Sequence, residues 1–179
     1  EVRGRHAGWI AAAGGLAAEK AGDAPHIILF PAVRFNKTRF LARVKETVEK
    51  FGYCAIVVSE GGRDSSGRFL VEAGGTDAFG HAQLGGVAPV VAEMIRQRHG
   101  YKYHWAVADY LQRSARHIAS KTDVEQAYAM GAAAVRFALA GKNAVMPTIV
   151  RTPNSPYRLK IGEAKLFRVA NREKMMPKN

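Results

Sequence analysis

Short apolar runs alternate with helical stretches along this chain, which is the pattern expected of an α/β fold. Residues 26–30 and 55–58 are continuous apolar runs of strand length, typical of strands buried on both faces. Residues 40–51 carry apolar side chains at helical spacing, and Gly52 follows as a C-terminal cap. The same signals predict helices over 9–20, 87–97 (ended by Gly100) and 122–139 (followed by Gly141), strands over 103–108, 144–150 and 157–161, and a short helix near Glu163.

The repeated order of strand, helix and strand favours one parallel sheet covered by helices on both faces, a three-layer α/β/α arrangement. The helix over 122–139 is expected to open with a capping box, in which Thr122 is the N-cap and Glu125 lies three residues later. Residues 61–80 are rich in Gly, Ser and Asp and are expected to form a loop. Ligands of parallel sheets bind at the carboxyl ends of the strands. In this chain those ends are residues 31–35, 59–63 and 109–113.

The net charge of +12 indicates either an anionic partner or a solvated basic surface. The sequence contains no run of basic residues, no zinc-ligand spacing and no RNA-recognition motif. Nucleic acid is therefore a weak hypothesis, and phosphorylated small molecules are a better one. The single cysteine, Cys54, excludes an intrachain disulfide and lies in an apolar run, which favours a buried structural thiol. With no apolar stretch of membrane-spanning length and no signal peptide, we expect a cytoplasmic location.

Two features of the expected binding edge carry candidate chemistry. Tyr110 and Arg113 lie three residues apart after a predicted strand, where a phenol hydroxyl and a guanidinium can converge on one anion. The alternative is a half-buried tyrosine beside a solvated arginine. Glu60 ends another strand at the same edge, and its carboxylate could accept hydrogen bonds from sugar hydroxyls. A helix-capping or ion-paired surface glutamate is the competing interpretation of Glu60.

Five segments keep their order and spacing along essentially the whole chain: Glu1-Val2-Arg3-Gly4-Arg5-His6-Ala7-Gly8-Trp9-Ile10, Phe30-Pro31, Val57-Val58-Ser59-Glu60-Gly61, Gly80-His81-Ala82-Gln83-Leu84-Gly85-Gly86 and Tyr110-Leu111-Gln112-Arg113. Together these segments resemble the phosphofructokinase family, most closely its pyrophosphate-dependent branch. One such match would carry little weight, but five in register make coincidence a poor explanation.

The resemblance implies a role for each matching residue. The segment Arg3-Gly4-Arg5 corresponds to the one that grips fructose 6-phosphate, with Arg5 reaching the reacting end as the catalytic candidate. Glu60 would accept hydrogen bonds from the sugar hydroxyls, and Tyr110 with Arg113 would bind the 6-phosphate. A further basic residue, for which Lys102 and His104 are the candidates, would reach that phosphate from a neighbouring subunit.

Three residues depart from the family pattern at this site. Arg3 stands where the family has a methionine, which places a long charged side chain where an apolar contact to the sugar is expected. Ala32 replaces the glutamate that usually follows the proline, and Arg34 stands where a proline is common. These departures bear on the activity that the resemblance implies.

Three family segments have no counterpart in this chain: the glycine-rich phosphate-donor loop, the T-I-D-N-D segment and the general-base aspartate. We therefore expect residues 1–179 to be the C-terminal part of a phosphofructokinase-like chain. Residues 1–113 would form the sugar-phosphate lobe, and the later helices and strands would pack on an N-terminal lobe. The chain would hold no metal itself, because the Mg²⁺ ligands are expected in the N-terminal half. By itself it should have no phosphotransferase activity.

The implied function is that of a 6-phosphofructokinase, a glycolytic enzyme. It would transfer a phosphoryl group from pyrophosphate, or from ATP, to fructose 6-phosphate and give fructose 1,6-bisphosphate. The expected protein is a homo-oligomer that binds neither nucleic acid nor a membrane. Two alternatives stay open: a catalytically silent fragment of the same fold that binds phosphosugars, and a basic α/β protein that binds nucleic acid.

Overall fold

The computed structural model describes residues 1–71 and 86–177. The described chain forms two compact units, Glu1–Gln112 together with the residues from Lys174 onward, and Arg113–Glu173. The predicted loop over 61–80 lies partly outside the described residues, and so does most of the family segment 80–86. Gly86 is described and is the N-cap of a helix.

The first unit has a two-stranded parallel sheet at its centre. Strand β1, Ile27–Leu29, pairs with β2, Ile56–Val58, so that Ile28 lies opposite Val57. The helices of this unit are α1 (Trp9–Gly14, continued by a 3-10 turn over Gly15–Ala17), α2 (Lys37–Phe51) and α3 (Val87–His99). The predicted α/β class is confirmed, and these elements lie close to their predicted positions.

Alternate strand residues face different helices, as the period of two along a strand requires. Val58 belongs to a buried core with Val44 of α2 and Val91 of α3. Ile28 and Val57 point to the opposite face and lie against α1, where the paired Gly14 and Gly15 stand. Helices therefore cover both faces of the sheet, as the sequence predicts.

Gly14, the last residue of α1, and Gly15, the first of the 3-10 turn that follows, have a packing role. A Cβ on Gly14 would come within 3.2 Å of Val57 Cγ2, and one on Gly15 within 3.1 Å of Ile28 Cδ1. Glycine lowers helix propensity by roughly 1 kcal/mol relative to alanine. At these two positions the missing side chains allow close packing against the sheet. The regular α-helix ends at Gly14.

Helix ends in this unit follow local chemistry. The Asn36 side chain accepts a hydrogen bond from Arg39 N and caps α2, which then ends at Gly52 in the left-handed conformation. Gly100 ends α3 in the same way. Glu1 caps α3 at its other end, because its two carboxylate oxygens accept hydrogen bonds from Gly86 N at 3.1 Å and Ala88 N at 2.8 Å.

Burial raises the pKa of the Cys54 thiol, which agrees with a structural rather than a reactive cysteine.

The predicted strand over 103–108 is wrong, because the described residues 101–108 form no strand. Two hydrogen bonds of ladder type do occur there, from the Glu1 amino group to Ala106 O and from Ala108 N to Glu1 O. A strand needs a continuous paired neighbour, whereas this segment pairs with one residue only among the described part of the chain. The apolar pattern alone could not distinguish these two situations.

The second unit contains α5 (Lys121–Leu139) and two long strands, β3 (Val145–Asn154) and β4 (Tyr157–Lys165). These strands pair antiparallel as a hairpin and form a sheet of their own, so placing residues 144–150 and 157–161 in the parallel sheet was wrong. The physical reason is the connection, since the two residues between the strands suit a hairpin and a parallel crossover needs a dozen or more. The short helices of the chain's second half are α4 (Leu111–Ser114), the 3-10 turn Arg116–Ile118 and α6 (Leu166–Val169).

Two boundaries of the second unit differ from prediction. The N-cap of α5 is Ser120, whose side chain accepts a hydrogen bond from Asp123 N, and not Thr122. Serine and aspartate three residues apart are an equally good helix start, so the sequence offered two overlapping signals. The helix expected near Glu163 begins at Leu166, and Glu163 lies within β4, where it pairs with Lys142.

The core predicts a specific stability effect for Val44, whose side chain is 1% exposed. Val44→Ala removes two methyl groups and leaves a cavity between α2 and the sheet, so we expect a loss of about 2–3 kcal/mol in the free energy of unfolding. Val33→Ala is the matched control, because Val33 is 62% exposed and should shift stability by less than about 0.5 kcal/mol. Urea denaturation measures both, and equal shifts would contradict the placement of the core.

Candidate functional site

The candidate site begins where the chain leaves the sheet after Val2. Val2 N donates to Val58 O at 2.9 Å and Glu60 N donates to Val2 O at 3.0 Å, so Val2 extends the parallel ladder beside the end of β2. The next residues, Arg3-Gly4-Arg5, form a turn at the carboxyl end of that strand. This is the edge at which the sequence predicts a binding site.

A buried carboxylate holds this turn. Glu60 is only 7% exposed, and its Oε1 accepts hydrogen bonds from Gly4 N at 3.1 Å and Arg5 N at 3.3 Å. Glu60 is therefore neither a helix cap nor an ion-paired surface residue. Hydrogen bonds from N–H groups to a carboxylate are among the stronger ones in proteins, which fixes the turn relative to β2.

The turn uses backbone conformations that favour glycine. Gly4 has φ = 137°, and a Cβ on it would meet nothing nearer than Gly8 N at 3.8 Å. The conformation favours glycine, although a Cβ at this position would make only an ordinary van der Waals contact. Arg5 also has a positive φ of 30°. Its carbonyl oxygen lies where a Cβ on Gly61 would be, so Gly61 permits the turn to contact the chain directly after Glu60.

Arg3 crosses to the segment after residue 108. Its Nε donates to Asp109 Oδ1 at 2.8 Å, its Nη2 bonds to the same oxygen, and its guanidinium lies 4.5 Å from the centre of the Tyr110 ring. These hydrogen bonds raise the pKa of Arg3, so the guanidinium stays charged. Arg3 stands where the family resemblance implies an apolar contact to the sugar. In the structure its side chain is held against Asp109 and Tyr110, which belong to the predicted phosphate-binding segment.

The other predicted site residues are placed as follows. Tyr110 is 56% exposed and belongs to the first unit, whereas Arg113 is exposed and lies in α4 at the start of the second unit. Lys102 and His104 are exposed and line a groove of about 750 Å³ beside β2. Arg3 and Glu60 line a different and smaller cavity of about 230 Å³, together with Glu1, Val2, Gly86, Val107 and Asp109.

Sequence reasoning missed Asp109 and Glu1 as parts of this site. Asp109 is the partner of Arg3, and Glu1 fixes the start of α3. Asp109 had a weak signal, a carboxylate at the end of a predicted strand and directly before Tyr110. Glu1 had none, because the helix that it caps begins 86 residues later in the chain.

Residues 1–138 match the family model described as Phosphofructokinase. The chain belongs to the phosphofructokinase family. The chain is 62% identical over 179 residues to a protein of Halomonas elongata named pyrophosphate–fructose 6-phosphate 1-phosphotransferase, and covers 43% of it. A Methylococcus capsulatus protein of the same name is 63% identical over 177 residues, which are 99% of this chain and 42% of that protein. The chain thus spans less than half the length of these relatives.

Solved phosphofructokinases share the fold. The crystal structure of the pyrophosphate-dependent phosphofructokinase from Nitrosospira multiformis superposes with a TM-score of 0.82 at 58% identity, over 99% of this chain and 41% of that one. The predicted resemblance to the pyrophosphate-dependent branch of the phosphofructokinase family is therefore confirmed by sequence and by structure.

Magnesium, which phosphofructokinase chemistry implies, does not fit this cavity. Among residues 1–71 and 86–177, no group of three His, Cys, Asp or Glu side chains is arranged to hold a metal ion. Each carboxylate of the cavity is already engaged: Glu1 by α3, Glu60 by the turn and Asp109 by Arg3. Magnesium sites need free carboxylate oxygens combined with phosphate or water. Among residues 1–71 and 86–177, no helix combines the length and the apolar character that crossing a membrane requires.

The close packing of Gly61 gives a test of this geometry. Gly61→Ala would place a methyl group on the Arg5 carbonyl, so the turn must move, and we expect a loss of about 1–3 kcal/mol in the free energy of unfolding. The matched control is Gly131→Ala, in α5, where a Cβ meets nothing within 4 Å. That change should stabilise the helix by up to about 1 kcal/mol. If chemical denaturation shows Gly61→Ala to be as harmless as its control, the close contact is not present in solution.

Proposed function

We propose that this chain provides the fructose 6-phosphate side of a pyrophosphate-dependent 6-phosphofructokinase. The reaction transfers a phosphoryl group from pyrophosphate to fructose 6-phosphate and gives fructose 1,6-bisphosphate. The observation that carries the proposal is the buried Glu60, which holds the Arg3-Gly4-Arg5 turn at the carboxyl ends of the parallel strands. The names of the closely similar relatives support pyrophosphate as the donor.

The roles in substrate binding follow from position and charge. The backbone at Gly4 packs against the sugar, and the Glu60 carboxylate, which lines the same cavity as Arg3, accepts hydrogen bonds from its hydroxyls. Arg5 reaches the reacting end, where it stabilises negative charge that is dispersed over the phosphoryl oxygens. Tyr110 and Arg113 bind the 6-phosphate, and Lys102 or His104 serves the same phosphate of a neighbouring subunit in a homo-oligomer.

Magnesium, in this proposal, would be held by residues of the N-terminal half of the enzyme, as the family resemblance implies. It would neutralise charge on the transferred phosphate, and the three carboxylates of the small cavity take no part because they are engaged elsewhere. This chain's own contribution is to bind and orient the sugar phosphate.

The deciding experiment compares donors. The intact natural protein is assayed for conversion of fructose 6-phosphate with pyrophosphate and, separately, with ATP, by coupling the product to aldolase. Turnover with pyrophosphate is expected, and the 179-residue chain by itself should bind fructose 6-phosphate without converting it. Binding by the intact protein without turnover on either donor would instead establish a silent phosphosugar-binding protein.

Arg113 gives the first test of the phosphate site. Arg113→Ala removes a charge-assisted pair with the 6-phosphate, which contributes on the order of 2–3 kcal/mol. The KM for fructose 6-phosphate should therefore rise by about thirty- to one-hundred-and-fifty-fold. Tyr110→Phe removes one neutral hydrogen bond and should have a smaller effect. Arg116→Ala, which removes another exposed arginine three residues later, is the control, and steady-state kinetics that cannot tell it from Arg113→Ala would defeat the assignment.

Glu60→Gln separates sugar binding from metal binding. The amide oxygen of glutamine can still accept the hydrogen bonds from Gly4 N and Arg5 N, so the turn persists while the charge toward the sugar hydroxyls is lost. We expect the KM for fructose 6-phosphate to rise about tenfold, with the magnesium dependence unchanged. Glu49→Gln, at an exposed position of α2, is the control. A shifted magnesium requirement would show that Glu60 acts on the metal.

A further inference from the structure

The contacts of Arg3 join the two halves of the proposed sugar-phosphate site. Its guanidinium bonds Asp109 through two nitrogens and covers a face of the Tyr110 ring at 4.5 Å. Arg3 belongs to the turn that Glu60 holds, and Asp109 and Tyr110 belong to the segment that leads into α4. Arg3 stands where the family has a methionine, and in the structure its guanidinium pairs with the Asp109 carboxylate.

This arrangement matters because of what Tyr110 is proposed to bind. If the 6-phosphate binds beside the Tyr110 hydroxyl, it approaches a ring that already carries a guanidinium, and that guanidinium is neutralised by Asp109. The phosphate would have to displace this guanidinium, which the Asp109 carboxylate holds in place over the ring. Binding of the 6-phosphate beside Tyr110 and closure of the Arg3–Asp109 ion pair then exclude each other.

We propose that Asp109 is a positioning residue that holds Arg3 over Tyr110, so that fructose 6-phosphate binds only after the Arg3–Asp109 ion pair opens. Asp109 thereby sets the affinity of the site for the phosphorylated sugar without touching the reacting atoms. The inference rests on the proposed function, because it takes Tyr110 as a ligand of the 6-phosphate.

The size of the effect follows from the exposure of the pair. The Arg3 and Asp109 side chains are 32% and 50% exposed, so their ion pair is one of the weaker, solvent-screened kind. A closed state of that strength reduces the apparent affinity by the fraction of molecules in which the site is open. We expect the ion pair to raise the Kd for fructose 6-phosphate by about two- to fivefold. The pair is thus strong enough to measure and weak enough for substrate to open.

A simpler explanation must be separated from this one. Asp109 could weaken phosphate binding by direct charge repulsion, in which case its removal would help whatever stands at position 3. The ion-pair mechanism instead requires Arg3. The two mechanisms therefore differ in whether the effects of changing Asp109 and Arg3 are additive.

The experiment is a double-mutant cycle in the intact natural protein. Isothermal titration calorimetry measures the Kd for fructose 6-phosphate in the wild type, in Asp109→Asn, in Arg3→Met and in the double variant. Both single variants should bind about two- to fivefold more tightly, and the double variant should equal Arg3→Met. Asp64→Asn, which disrupts the exposed pair of Asp64 with Arg68, is the control and should leave the Kd unchanged.

A spectroscopic signal reports on the ion pair itself. The Arg3 Nε–H resonance in an arginine-labelled NMR spectrum should move when fructose 6-phosphate is added to the wild type, and should already be shifted in Asp109→Asn. Thermal unfolding of each variant checks that the fold is kept. A role in stability alone would lower the melting temperature without moving the Kd.

The outcomes separate the inference from the proposed function. An equal gain from Asp109→Asn in both backgrounds overturns the ion-pair mechanism and leaves direct repulsion. Weaker binding, or no change, in Asp109→Asn with normal binding by the wild type overturns the inference while the proposed function stands. If fructose 6-phosphate binds the Asp109 and Arg3 variants but not the wild type, the ion pair closes the site almost completely, which supports the inference. Failure of all four proteins to bind fructose 6-phosphate overturns both proposals.

Discussion

The rest of the site depends on the hydrogen bonds from Gly4 N and Arg5 N to the buried Glu60 carboxylate. They tie the turn after Val2 to the end of β2, so the turn inherits the position of a strand that is itself packed between helices. A buried carboxylate without such donors would be strongly disfavoured, and the turn without the carboxylate would leave two N–H groups unpaired. Each therefore supports the other, and Gly61 provides the close approach that both require.

Two of the three departures from the family pattern, Arg34 and Arg3, have partners in this structure. Arg34, where the family often has proline, donates a side-chain hydrogen bond to Ser65 O at 3.0 Å. Its backbone forms an isolated parallel β-bridge with Arg63, which ties residues 33–35 to the turn after Gly62. Arg3 finds Asp109 and Tyr110. Nothing in the structure explains Ala32, which is exposed. Charge was thus added at two positions where a compensating acceptor lies within reach, which explains how the fold tolerates them.

The sugar-phosphate side of the proposed reaction needs little covalent chemistry from the protein. Phosphoryl transfer depends on holding two substrates in line and on stabilising dispersed negative charge. The described residues suit the binding of a sugar phosphate, since they combine a rigid backbone turn with arginines and a tyrosine. They do not suit the binding of a metal ion, because the carboxylates of the cavity are already hydrogen-bonded or ion-paired.

The sequence by itself determined the elements whose signals are local. Apolar runs located β1 and β2, helical spacing and glycine caps located α2 and α3, and the order of five segments identified the family. It failed where the answer depends on distant residues: residues 103–108 resemble a strand but lack a paired neighbour, and β3 and β4 form a hairpin rather than joining the parallel sheet. Only the tertiary structure decided that Glu60 is buried, that Glu1 caps α3 and that Arg3 pairs with Asp109. Those contacts join residues 55 to 106 positions apart, and no local pattern records which side chains the fold brings together.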